Sequence, residues 1–436
     1  LCRYSHTQKA LQPIAFRQAR PYLAAMDPVV FTKIARCVAD ASLDGSTEGE
    51  ILACFGNALN EAGIPVTRAM LGADTLHPVL AGRIFIWHRD IPDVGLHEFG
   101  RSTTAEGDRK WRESPFYYLE TSGESLFRFR LLGHNGDYPY PVLSELAQQG
   151  FTDYLVTMTR FGEKGVIGQL DSVYASWATT SDAGYTDAQL ETLKALIPFA
   201  AAAVRGASVR RIADTLAETY LGRDAARRVL SGTIGRGDAE RISAALWFSD
   251  LRGFTKLVDT VSPNLIVPLL NDYAGAAVSA IHAQGGEVLK FVGDGVLAIF
   301  RSNDHESASL RDACHAALLA LRECRKNLRE VRNRRANAGL PVTEMSVALH
   351  VGEALYGNFG GEDRLDFTVV GPAVNELSRI SGLARSVEQP VIFSAAFRQA
   401  AGGLQEKAVS LGRYALRGVE SPQELFTLDP ILLRGV

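Results

Sequence analysis

Gly285-Gly286-Glu287-Val288-Leu289-Lys290-Phe291-Val292-Gly293-Asp294-Gly295-Val296-Leu297-Ala298-Ile299-Phe300 reads as two apolar strands folded about a Gly-Asp-Gly turn. The pattern predicts a tight hairpin with one acidic residue, Asp294, at its tip. A turn aspartate by itself is an ordinary turn former. What precedes it changes its meaning. Ile242–Ser249 is apolar and strand-like, and the chain continues through Phe248-Ser249-Asp250-Leu251-Arg252-Gly253-Phe254-Thr255 into a helix that ends near His282. A carboxylate at a strand's end, followed by a glycine turn into a helix, sets Asp250 beside the backbone N–H groups of Gly253, Phe254 and Thr255. Such N–H groups suit phosphate oxygens, and the carboxylate suits a hard cation. Strand, helix, then hairpin lets the tip of the hairpin reach the end of the first strand. Two carboxylates meeting there repel unless a divalent cation joins them. A pair of oxygen-liganded metals about 3.5–4 Å apart can activate a ribose hydroxyl and neutralise a triphosphate.

Further motifs follow in order: His350-Val-Gly352, Gly357-Asn358-Phe359-Gly360, and Val369-Val-Gly371-x-x-Val374-Asn375-x-x-x-Arg379. Together with the 44-residue interval between Asp250 and Asp294, they resemble the class III adenylate/guanylate cyclases across roughly residues 238–430. The resemblance implies that Asp250 and Asp294, with the backbone carbonyl of Leu251, hold two Mg²⁺ or Mn²⁺ ions. It implies that Asn375 positions the ribose and that Arg379 stabilises charge developing on the phosphoryl group, a task suited to a planar, always-charged fork. Without it, Asn375 and Arg379 are two polar residues on the helix Ala373–Ala384, where four-residue spacing puts any pair side by side. It further implies a C2 homodimer with two composite sites, the aspartates and Lys290 of one subunit facing the Asn and Arg of the other. A diguanylate cyclase shares the general plan, but the turn here is Gly-Asp-Gly rather than GGDEF.

In that family two positions read the base, here Lys290 and Thr368. A lysine donates to adenine N1, an acceptor, whereas guanine carries a donor there; a threonine hydroxyl accepts from the exocyclic amine. The pair favours ATP and the Lys/Thr subclass, often associated with bicarbonate responsiveness. The expected activity is an adenylate cyclase that converts ATP to 3′,5′-cyclic AMP and pyrophosphate. The alternatives are a guanylate cyclase or a catalytically silent nucleotide-binding regulator.

The expected fold is mixed α/β (α+β). After residue 240 come strand, helix, hairpin, a long helix over Glu306–Ala336, strand, hairpin-like segment, helix and strands, a ferredoxin-like βαββαβ plan. Upstream, apolar periodicity predicts helices over Pro28–Ala41 and Thr47–Ala62 and strands over Arg83–His88, Leu126–Leu132, Tyr154–Arg160 and Val166–Trp177. This order, closing on Ser176-Trp177-Ala178-Thr179 and Gly184-Tyr185-Thr186, resembles a GAF-like sensory module over 27–185. Residues 1–26, ahead of a regular pattern, form an N-terminal extension. From Thr186 to Tyr220, Leu190, Leu193, Ile197, Ala200, Val204, Ile212 and Leu216 recur as in a two-helix seam, with a kink or break expected at Pro198. The seam reads as a dimeric linker within 186–237; capping the first domain's sheet is the plainer role. Glycines at 222, 232, 235 and 237 place the start of the catalytic domain, 238–436, near residues 230–240.

Composition is that of an ordinary globular protein, with 46% hydrophobic and 22% charged residues and net charge −3. There is no basic excess to suggest nucleic acid as a partner. The longest near-apolar run, Leu196–Val204, is far short of the ~20 residues of a membrane span. Five scattered cysteines show no disulfide framework, so the chain reads as cytoplasmic. The ligand of the first half is not legible. His77, His88, His97 and His134 have no recognisable haem spacing, the aromatic stretch Arg112–Tyr118 no ligand pattern, and Cys54 gives no ground for a bilin.

Overall fold

A computed structural model describes residues 27–429, apart from 102–104, 134–135, 164–165, 303–306, 385 and 403–407. The N-terminal extension and His134 lie outside the described residues. The chain divides into two compact units, one ending at Leu216 and one beginning at Ala217.

The first unit opens with α1 (Pro28–Leu43) and α2 (Glu48–Glu61). Asp27 accepts from the Val29 N–H, and Thr47 with Glu50 forms a reciprocal capping box at the start of α2, a device contributing about 1 kcal/mol. Then come β1 (Arg68–Asp74), β2 (Leu80–His88), β3 (Ile91–Gly100), α3 (Ala105–Arg112), α4 (Pro115–Ser122), β4 (Leu126–Arg130), α5 (Pro141–Gln148), β5 (Asp153–Arg160), β6 (Ser172–Thr179) and α6 (Asp187–Leu221). The strands make one antiparallel sheet, ordered β3-β2-β1-β6-β5-β4. Ile34, Val38, Phe55 and Leu59 of the opening helices share a core with Trp87, Trp177 and the first part of α6. A second cluster, around Leu143, Tyr154 and Val156, gathers Phe116, Phe127, Phe129 and Tyr140.

Three expectations are corrected here. The strand expected from Val166 begins at Ser172, because Gly168 takes φ +62° and turns the chain; Ile167 and Leu170 meet only in an isolated bridge. Cys37 and Cys54 form a disulfide between α1 and α2, their Cα atoms 6.9 Å apart, which scattered spacing could not disclose. Helix α6 runs through Pro198 without a break, and Leu190, Leu193, Ile197, Ala200 and Val204 are buried in the unit's own core. That stretch of the seam is therefore occupied within the chain, and it caps the sheet.

The second unit comprises α7 (Arg223–Leu230), β7 (Ala239–Leu251), α8 (Phe254–Thr260), α9 (Pro263–Ala283), β8 (Glu287–Val292), β9 (Gly295–Arg301), α10 (Ser307–Asn337), β10 (Met345–Gly360), β11 (Leu365–Val370), α11 (Pro372–Ala384), β12 (Val391–Ser394), α12 (Ala395–Ala401), β13 (Ala408–Tyr414) and β14 (Gln423–Leu428). Its sheet is ordered β13-β14-β12-β10-β7-β9-β8, with β11 paired to β10. The central order β10-β7-β9-β8 is antiparallel throughout, the arrangement of a ferredoxin-like βαββαβ core. Strand alternation decides the layers. Ala245 and Trp247 pack with Tyr273, Ala277 and Ile281 of α9 and Ala317 and Leu321 of α10. Ala244 and Leu246 face the other way, toward Ala225 of α7 and Leu377 and Ile380 of α11. The burial of Ala225 brings α7 into this unit, so the division falls before the glycine-rich 230–240 stretch. His350 to Gly360, expected as a strand and a turn, is one continuous strand.

Helices α6 and α9 are long and apolar enough, by length and composition, to cross a membrane. Part of each is packed in a core, including Leu193 and Val204 in α6 and Tyr273 and Ile281 in α9, as in core helices.

Candidate active site

The Gly-Asp-Gly turn has a physical reason for each residue. Val292 pairs with Gly295, leaving Gly293 and Asp294 as the two-residue loop, and Gly293 sits at φ +62°. A Cβ at Gly295 would lie 2.9 Å from the Ser249 carbonyl oxygen, so the hairpin can lie against the end of β7 only without one. That approach lets the Leu251 N–H donate to Asp294 Oδ2 at 3.0 Å. Asp250, adjacent in sequence, is 7% exposed, and the Ser346 hydroxyl donates to its Oδ1 at 2.5 Å. The structure thus brings the end of β7 and the hairpin tip together. A cavity of ≈ 220 Å³ opens there, lined by Leu251, Leu270, Asn271, Phe291, Gly293 and Asp294. Gly253, at φ +67°, caps α8, so Gly253, Phe254 and Thr255 form the glycine turn that leads into a short helix.

Two carboxylates and one backbone carbonyl are hard oxygen donors, and they leave at least half of an octahedral shell to water and phosphate. This donor set fits Mg²⁺ or Mn²⁺.

Lys290 owes its direction to a β-bulge. Val288 pairs with Ala298 but Lys290 pairs with Leu297, so Leu289 is the extra residue. Without the bulge Lys290 would point toward the α9–α10 layer; with it, Lys290 lies opposite Leu297, which belongs to the core under α7 and α11. Strand β11 also approaches β8. Thr368 of β11 is 4% exposed, and its Oγ1 is buried without a hydrogen-bond partner. An unpaired buried hydroxyl costs about 1–3 kcal/mol, which a ligand's hydrogen bond would offset.

Asn375 and Arg379 are exposed, one helical turn apart on α11, whose Ala373, Leu377 and Ile380 anchor it to the sheet. Below them His350 Nδ1 lies 2.8 Å from Ser394 Oγ, and its Nε2 is 3.6 Å from Glu376 Oε2. Ser394 Oγ also accepts from the Phe397 N–H, which ties this histidine to the start of α12. Burial pushes the His350 imidazole down to about 4, so the ring is uncharged near neutral pH.

Ser346, Asn271 and His350's partners had no motif to reveal them. Ser346 faces Asp250 only through the β7–β10 register. The described histidines of the first unit do not converge. His77 Nδ1 accepts from two turn N–H groups, His97 is exposed on β3, and among the described residues no group of three or more metal-ligating side chains forms. Cys54 is taken up in its disulfide.

Comparison with known proteins bears on the second unit. Residues 239–429 match the family described as adenylate and guanylate cyclase catalytic domain. An adenylate cyclase of Anabaena cylindrica is 32% identical over 152 residues, 35% of this chain and 29% of that protein. Adenylate cyclase 1 of Rhizobium meliloti is 27% identical over 178 residues, 41% of this chain and 26% of that protein. The chain spans under a third of the length of these two curated relatives. Among solved structures, the guanylyl cyclase Cya2 is 29% identical, covering 44% of this chain and 93% of that one, with a TM-score of 0.38.

Proposed function

We propose that the adenylate/guanylate cyclase catalytic domain at residues 239–429 converts ATP to 3′,5′-cyclic AMP and pyrophosphate, at a site shared by two copies of the chain. The observation that carries this is the Asp294 carboxylate docked on the Leu251 N–H, one residue from Asp250. Asp250, Asp294 and the Leu251 carbonyl would hold the divalent cations. When bound, such cations lower the barrier to deprotonating the ribose hydroxyl and neutralise the triphosphate.

The chain's own groups do the rest. Gly253, Phe254 and Thr255 offer backbone N–H groups to phosphate oxygens. Asn375 orients the ribose so that its 3′-oxygen stands in line with the α-phosphorus. A bond forms between them, the bond to the β-phosphate oxygen breaks, and the hydroxyl proton passes to solvent. Arg379 stabilises the charge gathering on the phosphoryl oxygens. No side-chain nucleophile is needed.

Proximity of β8 and β11 supports one purine pocket built from Lys290 and Thr368 of a single chain, with α11 following β11 directly. On this reading Lys290 joins Asn375 and Arg379 on one side of the interface, opposite the partner's aspartates, rather than siding with the aspartates as the resemblance implied. Exposure of Asn375 and Arg379, and of Phe291 at 61% beside the cavity, supports a homodimer that covers them. ATP as substrate also agrees with a cytoplasmic setting. Helix–helix–sheet–helix order in the first unit supports a GAF-like regulator that binds a small ligand.

Base choice has its own test. The double variant Lys290→Glu/Thr368→Cys is expected to move the ATP-over-GTP preference in kcat/KM toward GTP by about a hundredfold, since a site built to pair one hydrogen-bond pattern rejects the other. Unchanged selectivity would remove these two residues from the pocket.

A further inference from the structure

A polar assembly around a buried tyrosine, on the α7 side of the catalytic sheet, has no part in the chemistry above. Tyr356 of β10 is 1% exposed. Its hydroxyl donates to Glu287 Oε2 at 3.2 Å, on β8, three residues before Lys290. Its ring meets Phe367 edge-on, with centroids 4.8 Å apart, on β11 and next to Thr368. One side chain therefore touches both strands that carry the base-reading pair.

Tyr356 is itself gripped. The guanidinium groups of Arg228 on α7 and Arg301 on β9 lie 5.5 and 5.4 Å from its ring centroid. Arg228 bonds Asp224 Oδ2 at 2.7 Å and Glu240 Oε1 at 2.8 Å; Arg301 bonds the same two oxygens at 3.2 and 2.7 Å. Two cations alternating with two carboxylates cancel the repulsion that either pair would feel alone. The positive groups also suit the negative face of the aromatic ring. A core filler needs none of this; a phenylalanine would fill most of the space without reaching Glu287.

We propose that Tyr356 is a positioning residue for purine selectivity, holding Lys290 and Thr368 at the separation an adenine ring requires, with α7 clamped to it through Arg228. The inference rests on the assignment of Lys290 and Thr368 as the base-reading pair. Hydrogen-bond discrimination depends on tenths of an ångström at the base, whereas Asn375, Arg379 and the aspartates act at the ribose and phosphates. Loss of the spacer should therefore degrade base choice before it degrades catalysis. Because Arg228 belongs to the element that follows α6, a displacement of α7 reaches the purine pocket first.

The test uses the full chain and the variants Tyr356→Leu, Tyr356→Phe and Arg228→Met. Steady-state kinetics with ATP and GTP give the selectivity ratio, and titration with 3′-deoxy-ATP and 3′-deoxy-GTP gives the ratio of Kd without turnover. Tyr356→Leu is expected to lower the ATP preference about tenfold, mainly through KM, with kcat for ATP changing about threefold or less. Tyr356→Phe, which loses only the hydroxyl, and Arg228→Met are expected to shift it the same way by less. A selectivity unchanged in all three, whatever happens to Tm, overturns the proposal. Should Tyr356→Leu not fold, the two volume-conserving variants decide. A wild-type chain that prefers the adenine analogue but forms no cyclic nucleotide refutes the catalytic reading, while the Kd ratios still judge Tyr356. Equal binding of both analogues by the wild type refutes the base-reading pair and this inference with it.

Discussion

Asp294→Asn and Asp294→Ala are both expected to abolish cyclic nucleotide formation, a fall of about a thousandfold or more. Removing a carboxylate that holds catalytic cations forfeits several kcal/mol of transition-state charge stabilisation. The two variants separate chemistry from architecture. The asparagine amide oxygen can still accept from the Leu251 N–H, so the hairpin keeps its contact with the end of β7. Its Tm should match the wild type, whereas Asp294→Ala leaves that N–H unpaired and should unfold somewhat earlier. Equal inactivity with unequal stability is the expected signature. Near-normal turnover by Asp294→Asn would show that the charge at residue 294 is dispensable, and the metal assignment would go with it.

The second large effect is a recovery. Asp250→Ala and Arg379→Ala should each be inactive alone. When the two chains are mixed and allowed to exchange partners, each heterodimer contains one site with an intact aspartate pair and an intact arginine. Random pairing makes half the dimers mixed, with one of two sites whole, so about a quarter of wild-type activity should return. A mixture of Asp250→Ala with Lys290→Ala should recover as well if Lys290 sits on the Asn375 side of the interface, and should stay silent if it sits with the aspartates. Proven heterodimers without recovery in the first mixture would confine each site to one chain.

How far the sequence carried differs between the two halves. In the second half, the hairpin Gly285–Phe300 and the strand before Asp250 were legible because their signals are local. Alternating apolar residues give strands, and glycines give the turn. The βαββαβ plan followed from element succession. What stayed hidden depends on pairing. Ser346 meets Asp250 only because β10 lies alongside β7 in one register, and the bulge at Leu289 that turns Lys290 over leaves no mark in composition. The assembly of Tyr356 and its neighbours draws residues from six separate elements, so no spacing could announce it.

In the first half, the helix periodicity was right, and over its first part the plainer of its two roles, capping the sheet, is the one the core shows. Leu190, Leu193, Ile197, Ala200 and Val204 recur as a seam would, but a sheet offers an amphipathic helix the same apolar surface as a second helix does. Pro198 did not break α6; a proline removes one backbone bond, and a helix held along its length by a core can absorb that loss. The Cys37–Cys54 bond joins facing sides of two helices, a relation that residue numbers alone do not encode.

Incubating the purified chain with ATP and Mn²⁺, and quantifying cyclic AMP and pyrophosphate together, decides whether the hairpin tip docked at the end of β7 serves a cyclase. Equal amounts of the two products, both lost in Asp294→Asn, are what the proposed chemistry requires. Release of ADP or AMP in place of cyclic AMP, or ATP recovered unchanged from a chain that binds it, would contradict it.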